Sequence, residues 1–283
     1  MSKNKLTKFI LTCLMAIFII GTMSMTAHAE SVNEKEPNDT METAQTIQAN
    51  RVTAAQAVNN NRVNEYIVNG SASNTDEDWY KVYLSVGTQY VTCNAKSFEF
   101  EVYNSNGNTI LEQVYIKTGF GSTAYAFTAQ TEGYYYIKIT GITSSPVSYR
   151  VLVGDPTYSY AACTVELDTI QMSNNQNRTS TFDLRFEDVL PDDAVVYSIS
   201  MRGVGTTSVD SISVRNFSSN NTVNLPKYSW NQQGLVSLDM SLKSRWSITY
   251  GFNQNTSFTP SIKLDYAYPV VSENVEDNIV ITP

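Results

Sequence analysis

Two short acidic runs hold the residues best suited to chemistry in this chain: Glu34-Lys35-Glu36-Pro37-Asn38-Asp39-Thr40 and Thr75-Asp76-Glu77-Asp78. In an extended segment, side chains at i, i+2 and i+4 share a face. Glu34, Glu36 and Asn38 then point one way, Pro37 keeps the backbone extended, and Asp39 follows at the turn. Asp76 and Asp78 share a face by the same spacing. Carboxylates and an amide make a hard-oxygen donor set, and calcium takes roughly six to eight oxygens in irregular geometry. If the two runs meet, their mutual repulsion needs a counter-charge that a calcium ion supplies directly. The same residues also fit a solvated acidic segment and a charged loop, and spacing alone leaves both readings open.

Other chemistries are excluded more firmly. Lys3, Lys5 and Lys8 precede an apolar run from Phe9 to Ile20, and Ala27-His28-Ala29 supplies small residues at the positions a signal peptidase reads. This pattern predicts a signal peptide over residues 1–29, cleavage after Ala29 and a secreted chain beginning at Glu30. The apolar run is shorter than the roughly 20 residues a membrane span needs. Cys13 lies inside that run rather than after it, which argues against a lipid anchor. The only histidine, His28, leaves with the signal. The mature chain therefore has no imidazole for a Ser-His-Asp or Cys-His pair, for zinc ligation or for acid–base catalysis. The full chain has 19 Lys+Arg and 27 Asp+Glu; losing three lysines leaves 16 against 27, a net charge of about −11. Such a chain is not expected to grip nucleic acid through phosphate neutralisation, nor to insert in a membrane after cleavage. Cys93 and Cys163 can pair in an oxidising compartment or sit apart as buried thiols, and both options stand at this stage.

The elements that must position these residues read as strands. SFEFEVYN (97–104), DWYKVYLSV (78–86), STAYAFTA (122–129), GYYYIKITG (133–141) and VSYRVLVG (147–154) alternate apolar and polar residues between Gly, Asn and Ser clusters. After GDPT (154–157), a second series follows in STFDLRFEDV, AVVYSISMR, GLVSLDMS, RWSITYGF and PSIKLDYAY. TMETAQTI (40–47), with Asn38 and Asp39 as capping residues, is the one helical turn expected. The fold class predicted is all-β with two β-sandwich domains. Their bounds are 30–154 and 155–271, followed by an acidic C-terminal tail over 272–283 that carries SENVED.

The order E-K-E-P-N-D-T, Ala44, Ile47, VNGSASNTDEDWYKVYL, EVYNSNGNTI, GYYYIKITG and VSYRVLV resembles the bacterial pre-peptidase C-terminal domain. That family includes the collagen-binding modules of clostridial collagenases. The resemblance covers residues 34–154; the second series resembles no family by its residues. It implies a jelly-roll-like sandwich, and some members bind calcium between the N-terminal acidic segment and a nearby loop. It further implies calcium ligands at Glu34, Glu36, Asn38, Asp39 and Asp76. Asp78 or Glu77 adds another oxygen, and the Gly70 carbonyl can contribute. Domains of this family usually follow a secreted peptidase. Here the resembling segment follows the signal, and the mature chain has no HExxH, GxSxG or Ser-x-x-Lys.

The expectation is thus a secreted, non-catalytic, calcium-binding β-sandwich protein acting as an adhesion module for an extracellular polysaccharide or protein matrix. Two alternatives compete with it. One is a histidine-free carboxylate hydrolase using acids such as Asp183, Glu187, Asp192 and Asp193 of the second series. The other is an accessory or inhibitor partner of a separate secreted peptidase. Tyr134, Tyr135 and Tyr136, with Tyr135 on the face opposite the other two, and Trp230 and Trp246 are candidates for exposed aromatic contacts, although aromatics are also ordinary strand residues.

Overall fold

The computed structural model describes residues 29–94, 97–116, 123–172, 176–271 and 278–281. The expected signal up to His28 and the SENVED segment of the tail lie outside these residues. Alternation in the first series yields β1 (Glu30–Asn33), β2 (Gln45–Ile47), β3 (Tyr66–Ala72), β4 (Glu77–Leu84), β5 (Gly87–Cys93) and β6 (Ser97–Tyr103). It continues in β7 (Thr109–Ile116), β8 (Thr123–Ala129), β9 (Gly133–Gly141) and β10 (Val147–Gly154). One sheet runs β1-β3-β10-β5-β8 and the other β2-β4-β9-β6-β7. Their inward residues, among them Val68, Val91, Tyr149 and Val151 from one sheet and Tyr80, Phe98, Phe100 and Ile137 from the other, form one apolar core. The short N-terminal strands β1 and β2 pair parallel to β3 and β4, so the acidic run between them is held against both sheets.

The second series forms β11 (Tyr158–Glu166), β12 (Ile170–Met172), β13 (Asn177–Asp183), β14 (Val195–Arg202), β15 (Val209–Asn216) and β16 (Thr222–Leu225). These are followed by β17 (Asn231–Gln233), β18 (Met240–Ser241), β19 (Arg245–Phe252), β20 (Thr256–Phe258), β21 (Ser261–Pro269) and β22 (Asn278–Ile281). The sheet β17-β14-β21-β11-β22 packs on β13-β19-β15-β16 around Val196, Ile199, Leu264, Trp246, Ile248 and Tyr250. Among the described residues, strand pairing stays within each series. Cys93 belongs to the first core and Cys163 to the second, so no disulfide joins them.

Three sequence expectations change. TMETAQTI is not helical: Thr40 and Thr43 close a turn by mutual side-chain and backbone hydrogen bonds, and β2 follows at once. The helix is instead α1 (Ala54–Val58), started by a capping box in which Thr53 and Gln56 satisfy each other's backbone N–H groups. GLVSLDMS forms a 3-10 turn over Leu235–Leu238 before β18, because Gly234 and Asp239 adopt left-handed φ at both its ends. In AVVYSISMR a β-bulge between Val196 and Ser198 shifts the register against β21. Val196, rather than the neighbouring Val195 and Tyr197, therefore enters the core.

The join at Gly154 is held from behind. Asn50 donates from N to Val153 O (2.7 Å) and from Nδ2 to Asp155 O (2.7 Å), and Arg51 pairs with Asp155 at 3.6 Å. Gly154 has φ +129°, and a Cβ there would lie 2.5 Å from Asn50 O. Gly154→Ala is therefore expected to cost about 1–2 kcal/mol of stability, read as a lower denaturant midpoint. An unchanged midpoint would show that the close approach is not essential.

Candidate metal centre and aromatic face

The structure brings the two acidic runs together. Trp79 N donates to Asn38 O at 2.9 Å, which lays the N-terminal segment along the start of β4. Strand alternation in β4 turns Asp78 inward, in line with Tyr80, Val82 and Leu84, and turns Glu77 outward. One carboxylate oxygen from each of Glu36, Asp76 and Asp78 lies within 4.8 Å of the other two. The i, i+2 reading of Asp76 and Asp78 is therefore met, and Glu77 falls away from the cluster toward Lys138 at 3.9 Å.

Each remaining candidate has its own place. Glu34 accepts from Ser71 N (2.8 Å) and Ser71 Oγ (3.3 Å), and its Oε2 lies 3.4 Å from the Tyr149 hydroxyl. Glu36 Oε2 accepts from Asn38 N at 3.0 Å. Asn38 is fully buried, with no hydrogen-bond partner for either side-chain polar atom among the described residues. Asp39 is exposed and stands outside the cluster. Gly70 pairs with Tyr149 across β3 and β10, and a Cβ there would come within 2.4 Å of Tyr149 and Glu34 atoms. Its bare backbone clears the space that both side chains use.

Below the cluster lies a polar relay that sequence reading did not find. The Tyr149 hydroxyl donates to Asp78 Oδ2 at 2.8 Å and is hydrogen-bonded in turn to the Tyr80 hydroxyl. Burial pushes both phenols well above their ordinary range. Asp78 is 0% exposed and its Oδ1 has no partner among the described residues. Desolvation raises its carboxyl to about 7. The Tyr149 hydrogen bond opposes that rise, while the charges of Glu34, Asp76 and Glu36 add to it. A signal for Tyr149 was present in principle, since an inward strand tyrosine needs a polar partner. Its pairing with Asp78 depends on strand register, however, and not on spacing along the chain.

The clustered carboxylates are hard oxygen donors, and three buried atoms of this region, Asn38 Oδ1, Asn38 Nδ2 and Asp78 Oδ1, have no partner among the described residues. Such groups cost free energy unless something satisfies them. A hard divalent cation fits that requirement for the two oxygens; a soft metal does not, because no thiolate or imidazole is present.

The outward face of the same sheet has a different character. Across β4, β9 and β6, Tyr83 stands opposite Tyr134, Lys81 opposite Tyr136, and Trp79 opposite Lys138. Tyr103 continues the row beside Tyr136. Tyr83 and Tyr134 meet edge to face at 5.3 Å, and Trp79 and Tyr103 lie 5.2 Å apart. Lys81 Nζ sits 4.3 Å from the centre of the Tyr134 ring and Lys138 Nζ 5.9 Å from that of Trp79. Tyr83 is 48% exposed and Tyr134 43%. Tyr135, on the other face, is buried and donates to Thr131 O. The two candidate tryptophans of the second series are not at the surface. Trp246 is wholly buried, parallel to Phe182, with its indole N–H on Leu242 O, and Trp230 is only 3% exposed. Of the carboxylates weighed for hydrolysis, Asp183 is held by Arg185 and Asp192 by Lys243.

No family model and no curated protein matches the chain. Among solved structures, an inferred secreted protein from Eubacterium rectale aligns over 87% of this chain and 89% of its own, at 13% identity and a TM-score of 0.53. That likeness speaks for the fold alone. The pre-peptidase C-terminal domain of a collagenase from Bacillus anthracis aligns over 42% of this chain and 99% of its own, at 14% identity and a TM-score of 0.29. Among the described residues no helix is long and apolar enough to cross a membrane.

Proposed function

We propose that this protein is a secreted, non-catalytic binding module that attaches to an extracellular polysaccharide or protein matrix. On this reading calcium is held by Glu36, Asp76 and Asp78 with the Asn38 amide oxygen. The ion neutralises the clustered carboxylates and fastens the N-terminal segment to the head of β4. It supplies no reaction step. Secretion rests on the signal pattern of residues 1–29, and the non-catalytic assignment on a mature sequence without histidine, HExxH, GxSxG or Ser-x-x-Lys, with Asp183 and Asp192 engaged in ion pairs.

The observation that supports the binding role is the continuous outward row of Trp79, Tyr83, Tyr134, Tyr136 and Tyr103, interleaved with Lys81 and Lys138. Tyr83 and Tyr134 are exposed side by side and the other three are half-buried around them, and exposed apolar patches mark interaction surfaces. From Trp79 to Tyr83 the strand rises ~13 Å, which suits an extended polymer lying along it.

A panel of matrix polysaccharides and fibrous proteins, screened by pull-down and then titrated, tests this reading. Tyr83→Ala with Tyr134→Ala is expected to weaken binding at least tenfold, about 1.4 kcal/mol, while the exposed substitutions leave the melting midpoint nearly unchanged. Equal affinity of the double variant and the parent would remove this face from the function.

A further inference from the structure

The five-residue loop Pro226-Lys227-Tyr228-Ser229-Trp230 joins β16 to β17 and contains two aromatic residues at positive φ, Tyr228 at +81° and Trp230 at +46°. Bulky side chains adopt this region only when the surroundings impose it, and such outliers concentrate at functional positions. The surroundings are visible. Trp230 is buried, its N–H donates to Pro226 O and its carbonyl accepts from Met201 N, both at 2.9 Å. Anchored in this way, the loop turns Tyr228 outward, where 78% of it is exposed. A tyrosine so placed buries little area and stabilises the fold correspondingly little, yet the backbone is strained to present it.

Two further loops meet this one. Asp210 Oδ1 accepts from Lys227 Nζ at 2.6 Å and from Asn253 Nδ2 at 3.0 Å. Gln254 Nε2 donates to Ser208 Oγ at 3.1 Å, and Asn253 N donates to Ser208 O at 3.3 Å. Lys227 Nζ also lies 5.8 Å from the centre of the Tyr228 ring. The exposed ring therefore stands beside the Lys227 ammonium, which Asp210 links to the Asn253 amide, while the next residue, Gln254, is tied to Ser208. The bonds named use one oxygen of Asp210 and the nitrogens of the amides. The chemistry of the set leaves a second carboxylate oxygen and two amide oxygens as acceptors.

We propose that this loop tip is a carbohydrate site for a neutral hexopyranose unit of a glycan. The apolar C–H face of a sugar with equatorial hydroxyls lies on the Tyr228 ring. Its vicinal hydroxyls pair with Asp210, Asn253 and Gln254, whose mixed donors and acceptors match neighbouring hydroxyls. The Lys227 charge is already spent on Asp210, and the chain as a whole is acidic, so a neutral sugar fits better than an anionic one. The site belongs to the second sandwich and is independent of the calcium cluster and of the aromatic face of the first.

Calorimetric titration of the full chain with cellohexaose, laminarihexaose and xylohexaose tests the assignment. At least one hexasaccharide is expected to bind. Tyr228→Ala should weaken that binding at least tenfold, Asn253→Ala severalfold, and Tyr228→Trp should retain it. Binding should persist in a chelator and in the Tyr83→Ala/Tyr134→Ala variant, which separates this site from the face proposed above. Tyr228→Gly provides the control for a purely structural role: it relieves the positive φ and should raise the melting midpoint while abolishing binding. Absence of binding by all three sugars at millimolar concentration overturns the proposal. So does undiminished binding by Tyr228→Ala, or a lowered midpoint in Tyr228→Gly.

Discussion

Calcium added at a hundred times its dissociation constant is expected to raise the unfolding free energy of the protein by about 2.7 kcal/mol, and a chelator is expected to remove the gain. The physical reason lies in the acidic cluster itself. Three carboxylate oxygens within 4.8 Å of one another repel, and Asn38 and Asp78 bury polar atoms that have no partner among the described residues. A cation offsets the repulsion and satisfies the two oxygens, Asn38 Oδ1 and Asp78 Oδ1, although not the Asn38 Nδ2 donor. In the unfolded chain the acidic runs are some 40 residues apart and present no assembled site, so binding is confined to the native state. Glu36→Ala and Asp76→Ala are expected to abolish the calcium-dependent shift. Asp39→Ala, which changes an exposed residue outside the cluster, is expected to keep it. Denaturant unfolding with calcium and with chelator reads all four proteins. Identical transitions in the two conditions would sink the assignment.

The shared face of Asp76 and Asp78 was legible in their i, i+2 spacing, whereas the approach of Glu36 to them, across some 40 residues, was implied only by the resemblance and depends on strand pairing. The same period-two rule found β4, β6, β8, β9, β10, β19 and β21 with small boundary errors. It failed where alternation is interrupted by geometry that spacing does not encode. STFDLRFEDV keeps apparent alternation through Phe186, but the strand ends at Asp183, and Phe186 stands 78% exposed in a turn. In AVVYSISMR, the bulge moves Val196 inward without any glycine or proline to announce it. The helical turn expected over 40–47 does not form, although Asn38 and Asp39 are residue types that cap helices. The reciprocal Thr53–Gln56 pair, which does cap, was equally present in the sequence. Ser71, Gly70 and Tyr149 complete the acidic site through cross-strand register, a property of the sheet and not of any one segment. Trp230 and Trp246 show the opposite limit: their size made them candidates for the surface, while their area is what the second core uses.

In the absence of calcium, acidification from pH 8 toward pH 4 is expected to stabilise the parent protein relative to Asp78→Asn. The sign follows from the proton count. Asp78 titrates near 7 in the fold, chiefly because burial disfavours its charge, against an ordinary value of 3.8. Between those values the unfolded chain has released this proton and the folded chain still holds it, so stability falls as pH rises. Below about pH 4 both states are protonated and the penalty is absent; above about pH 7 both are ionised and it is complete. The shift corresponds to a cost on the order of 2–4 kcal/mol at neutral pH. Asparagine keeps an acceptor for the Tyr149 hydroxyl while removing the buried charge. Without calcium at pH 8, Asp78→Asn should therefore be the more stable protein, converging with the parent near pH 4. With calcium the order should reverse, because the variant has lost an anionic ligand while the parent gains the ion. Pairwise comparison at each pH isolates this carboxyl from groups that shift the other way, such as Asp183, which its hydrogen bonds to Arg185 hold low. Urea midpoints of the two proteins across pH 4–8, with chelator and with calcium, provide the measurement. If Asp78→Asn is no more stable than the parent in chelator at pH 8, the buried carboxylate is not a liability and has no need of an ion to offset it. Stabilisation in chelator together with loss of the calcium response would identify Asp78 as a residue whose charge the fold tolerates for the sake of its ligand.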